Sequence, residues 1–87
     1  MKIIVLEGKH ITSYYKASTP EEIESSSRKI MQNHLQMGFY DEHWGNDPTL
    51  KESVRRELEN PSGKAWKFIR SRSNGHEYEG VSLENVQ

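Results

Sequence analysis

Residues 64 to 83 read Lys-Ala-Trp-Lys-Phe-Ile-Arg-Ser-Arg-Ser-Asn-Gly-His-Glu-Tyr-Glu-Gly-Val-Ser-Leu. Asn74-Gly75 supplies the two residues that tolerate positive φ in a type I′ turn, so the stretch predicts a two-stranded antiparallel hairpin. Pairing Ser73 with His76 sets Arg72 opposite Glu77, Arg70 opposite Glu79, Phe68 opposite Val81 and Trp66 opposite Leu83. Cross-strand pairs of these kinds contribute about 0.2–1 kcal/mol each, and a slip of one residue would lose all four. The competing reading makes 62 to 72 a third helix, because Ala, Lys and Arg favour helix.

Working outward, Lys2-Ile-Ile-Val-Leu6 is rich in β-branched side chains and is followed by Glu7-Gly8-Lys9-His10 and Ile11-Thr-Ser-Tyr-Tyr15, which predicts a first hairpin. With Gly8-Lys9 as a type II′ turn, Leu6 faces Ile11 and Ile4 faces Ser13. Ser18-Thr-Pro-Glu-Glu22 is a helix start: Thr19 caps, Pro20 takes the first helical position and Glu22 completes a capping box. The helix is expected from about 20 to 37, with Gly38 after its end. Ile23, Ser27, Ile30, Met31, His34 and Leu35 form its inner stripe. Asp47-Pro48 opens a second helix with Leu50, Val54 and Leu58 inward, and Asn60-Pro61 ends it. The expected fold is therefore α+β in ββααββ order, a small antiparallel sheet from two hairpins with both helices on one face. It is expected to form a single small domain over residues 1–87.

Composition bounds what such a chain can do. Leu, Ile, Val and Phe number 17 of 87, a thin apolar supply, while a net charge of −1 and four Tyr with two Trp argue for folding rather than disorder. A small, marginally stable domain also gains from burying surface against a partner or a second copy of itself, so a homo-oligomer is among the expectations. There is no cysteine, hence no disulfide and no thiolate ligand or nucleophile. The apolar run Ile3–Leu6 falls far short of the roughly 20 residues of a membrane span. A cytoplasmic protein without membrane contact is expected.

Charge is segregated along the chain. Lys51, Arg55, Arg56, Lys64, Lys67, Arg70 and Arg72 share 51–72 with only Glu52, Glu57 and Glu59, whereas 17–50 and 73–87 are net acidic. Cations interleaved with Trp66 and Phe68 suggest a nucleic-acid surface using Arg55, Arg56, Lys64, Lys67, Arg70 and Arg72. In the hairpin register, however, Glu77 and Glu79 neutralise Arg72 and Arg70, and binding to phosphate depends on uncompensated cations.

The segment between the helices, Gly38-Phe-Tyr-Asp-Glu-His-Trp-Gly-Asn46, carries three aromatics in nine residues. Exposed aromatics concentrate binding energy at protein interfaces, so Phe39, Tyr40, Asp41, Glu42, His43 and Trp44 are the candidate contact residues for a larger protein. The competing role is structural, with Phe39 and Trp44 closing the ends of the core. Asp41, Glu42, His43 and Asp47 superficially resemble a metal or acid-base cluster, but no ligand spacing such as His-Glu-x-x-His or a calcium loop occurs, and no cofactor is implied. No catalytic motif is present either.

The plan resembles that of small accessory proteins of bacteria and their viruses, including inhibitors that dock on a larger host protein. No residue role follows from that likeness. The leading expectation is a non-enzymatic protein-binding module. Nucleic-acid binding is the second expectation, and a small-ligand binder or enzyme built from the loop acids and histidines of a homo-oligomer is the third.

Overall fold

A computed structural model describes residues 1–8, 11–36, 48–71 and 78–86. It is an α+β protein in which β1 (Lys2–Gly8) and β2 (Thr12–Lys16) precede α1 (Pro20–Gln36), α2 (Pro48–Glu59) and α3 (Ala65–Ser71), and β3 (Tyr78–Asn85) closes the chain. The strands form one antiparallel sheet in the order β2-β1-β3.

The central place of β1 explains its unbroken apolar run. Flanked by β2 and β3, it buries Ile4 and Leu6 on one face and Val5 on the other, so neither face of its centre alternates to a polar residue. The first hairpin forms, but its register lies two residues along β2 from the expected one: Leu6 pairs with Ser13 and Ile4 with Tyr15. Gly8 belongs to the strand, and its N–H donates to the Ile11 carbonyl at 2.9 Å. A two-residue shift preserves the side-chain period, so each residue keeps its face. Beyond Glu7 the β1–β3 ladder breaks step, with Glu7 opposite Gly80 and Gly8 opposite Tyr78. Glu79 is thus an extra residue that bends β3.

The second hairpin does not form. Residues 65–71, expected as its first strand, are α3, and β3 pairs with β1 instead. Leu83 lies opposite Ile4 and Val81 opposite Leu6, replacing the expected partners Trp66 and Phe68. The Arg70–Glu79 cross-strand pair is lost for the same reason, while the turn at Asn74-Gly75 and the Arg72–Glu77 pair fall outside the described residues. The physical reason is Ile69. In a strand it would sit on the polar face with Lys67, whereas helical spacing stacks it with Ala65, and both are buried. Trp66 and Phe68 flank that stripe and pack on the same core.

Local signals place the other helices as the sequence expects. Thr19 Oγ1 accepts from the Glu22 N–H at 3.1 Å, and the Glu22 carboxylate accepts from the Ser18 N–H at 3.0 Å, a capping box displaced by one residue. Ser27, Ile30, Met31 and His34 are buried along α1, with Ile23 and Leu35 partly so. Val54 is the fully buried anchor of α2, and Leu58 packs beside it. The core lies between these helices and the sheet face bearing Ile4, Leu6, Tyr15, Val81 and Leu83. Val5 and Tyr14 pair on the opposite face, and Tyr14 is 65% exposed.

Candidate functional site

The helical side of the molecule is organised by two carboxylates, Glu24 and Glu57. Glu24, in the second turn of α1, accepts hydrogen bonds from the N–H groups of Ala65 at 2.9 Å and Trp66 at 3.2 Å. These are the first two residues of α3, whose amides have no partner inside the helix. A side chain 41 residues away therefore caps α3 and also meets the positive end of its dipole.

Glu57, near the end of α2, secures the turn before α3. It accepts from the Ser62 N–H at 3.0 Å, the Ser62 hydroxyl at 2.6 Å and, more weakly, the Lys64 N–H at 3.4 Å. Burial pushes its pKa up, but the Ser62 and Lys64 hydrogen bonds and the nearby Arg28 guanidinium outweigh that and hold it below the ordinary carboxylate value. Gly63, in the same turn, has a φ of 82°, the left-handed region that glycine enters without strain.

Onto this scaffold α3 sets its cations outward. Lys64, Lys67 and Arg70 are exposed, and the Arg70 guanidinium lies 5.6 Å from the centroid of the half-buried Trp66 ring. That distance is within cation–π reach. On α2, Arg55 and Arg56 are exposed alongside Glu52 and Glu59. Of the six cations expected to make a nucleic-acid surface, the structure thus sets Lys67 and Arg70 on α3 with Lys64 just before it, and Arg55 and Arg56 on α2. Arg72 is outside the described residues. Arg70 lies in α3 and β3 pairs with β1, so the strand register expected to set Glu79 opposite Arg70 does not form.

Phe39, Tyr40, Asp41, Glu42, His43 and Trp44 lie outside the described residues, as do Asp47, His10 and His76. Among the described residues no three His, Asp or Glu groups come together as a metal site, and no helix is long and apolar enough to cross a membrane. His34, expected on the inner stripe of α1, is only 5% exposed, and burial lowers its pKa to about 4. It is a neutral core residue. The buried hydroxyls are likewise turned inward: Ser27 donates to the Ile23 carbonyl at 2.7 Å, and Ser26 to the Lys16 carbonyl at 2.6 Å, tying α1 to β2.

Sequence reasoning missed Glu24 and Glu57. The Glu57–Ser62 contact is local enough to be suspected in a turn containing Pro61 and Gly63. Nothing in the spacing links Glu24 to Ala65.

The architecture defines the class, an α+β protein whose described residues form a three-stranded antiparallel sheet with α1 and α3 packed against its strands and α2 packed on α1. No protein-family model, curated protein or solved structure matches the chain.

Proposed function

We propose that this chain is a small non-enzymatic protein-binding module, an adaptor or inhibitor that docks on a larger protein through the segment between α1 and α2. The observation that supports it most is where that segment is rooted. Residues 37–47 join two helices that pack on each other, one fixed near its end by buried His34 and the other by buried Val54. Binding segments work best when a rigid scaffold holds both their ends. Phe39, Tyr40 and Trp44 supply the anchor side chains, with Asp41, Glu42 and His43 as polar neighbours.

A second consideration favours binding over catalysis. The carboxylates that converge on other groups among the described residues, Glu22, Glu24 and Glu57, are all committed to backbone N–H groups. They act as caps, not as acids or bases poised for a substrate.

Affinity capture from a native lysate tests the proposal. Tyr40→Ala and Trp44→Ala are expected to abolish recovery of the captured partner while leaving the circular dichroism spectrum and melting temperature unchanged. Recovery that persists in both variants, at unchanged stability, overturns it.

A further inference from the structure

We infer that the outward face of α3 is a second docking surface, built for an acidic protein segment. It is independent of the reading given to residues 37–47, and failure of that reading would leave it intact.

Three observations carry it. Lys67 and Arg70 stand three residues apart on α3, so helical geometry sets them on one exposed side, and exposed Lys64 immediately precedes the helix. Among the described residues, Glu24 and Glu57 direct their oxygens at the α3 amides and the preceding turn, and α3 itself contains no acid. The Lys64 and Lys67 ammonium groups form no ion pair with any described residue. Arg70 is held in place by the Trp66 ring, which reduces the ordering that binding requires.

Protein is favoured over nucleic acid by what surrounds this face. Arg55 and Arg56 on α2 are interleaved with exposed Glu52 and Glu59 at helical spacing, a mixed surface that would repel a continuous phosphate backbone. Trp66 packs on the core with Arg70 over its ring, so it offers no free platform for a base. Tyr14, the most exposed aromatic among the described residues, belongs to the far face of the sheet.

Fluorescence anisotropy with a labelled polyglutamate peptide, and in parallel an oligouridylate of equal charge, tests the assignment at low ionic strength. Saturable binding of polyglutamate is expected to weaken with added salt and to fall by roughly tenfold or more in Lys64→Glu/Lys67→Glu. The same substitutions at Arg55 and Arg56 are expected to change it little. Lys64→Gln/Lys67→Gln provides a milder pair should charge reversal alter the melting temperature. Absence of saturable polyglutamate binding overturns the inference, as does equal loss from the α2 and α3 pairs. Tighter binding of oligouridylate through the same lysines assigns the face to nucleic acid and overturns it too.

Discussion

Gly63 turns the chain from α2 into α3 at a φ of 82°, and a Cβ built there would meet nothing within 4 Å. Any penalty for a side chain is therefore backbone strain alone, and Gly63→Ala is expected to lower stability by about 1 kcal/mol, read as a shift of the urea midpoint at constant slope. His34 makes a larger prediction. Buried and held neutral, it binds its proton only near pH 4, whereas in the unfolded chain it does so near 6.5. The unfolded state therefore takes up the proton first as pH falls. The stabilisation is full above about 6.5, declines through the window down to 4 and amounts to about 3 kcal/mol at most. Urea midpoints measured across that window should slope downward toward acid in the native protein and flatten in His34→Leu. Glu57, with a depressed pKa, adds a separate loss at lower pH as its carboxylate is protonated and the hydrogen bonds from Ser62 and Lys64 weaken.

At the scale of the element, α3 is the part whose identity depends on its neighbours. A seven-residue helix does not persist in water by itself. Two features hold this one: the Glu24 cap at its start, and Ala65 and Ile69 sealed beneath it. Glu24→Ala leaves two amides without their partner and is expected to destabilise the fold by about 1–2 kcal/mol. Amide exchange should accelerate most over 65–70. Ile69→Ala is expected to lower stability by about 2–5 kcal/mol, while Lys67→Ala stays near zero. Similar small effects at both positions would contradict the helix, because a hairpin strand leaves both on its solvent face.

For the whole molecule the central fact is that β1 has neighbours on both sides drawn from opposite ends of the chain. Val86 N–H donates to the Met1 carbonyl at 2.8 Å, and Lys2 N–H donates to the Ser18 hydroxyl at 3.1 Å, so the two ends of the fold are fastened to one strand. A two-stranded sheet is marginal in water. Removing 78–87 is therefore expected to abolish the cooperative thermal transition, although every helix is retained. A sharp transition in the shortened chain would show that β1, β2 and the helices suffice. Among the described residues, Tyr14 stands exposed on the far sheet face, and Arg55 and Arg56 on α2 and Lys67 and Arg70 on α3 are exposed.

By itself the sequence determined the elements that carry their own punctuation. Thr19-Pro20 starts the first helix, Pro48 opens and Asn60-Pro61 ends the second, and the run Ile3–Leu6 marks a strand. These signals act within a few residues and need no knowledge of the rest of the chain. The buried stripe of α1 was legible as well, because it repeats at the helical period. Only tertiary structure decided the state of 65–71 and the partner of β3. Trp66 and Phe68 satisfy a strand's alternation as well as a helix's inner face, and the groups that break the tie, Glu24 and β1, lie far away in sequence. That choice also changes the reading of the surface. As a hairpin, this segment would have paired Arg70 with Glu79; as a helix, it sets Lys67 and Arg70 on one exposed side. Charge neutralisation depends on which groups become neighbours in space, a property that belongs to the fold and not to the order of residues.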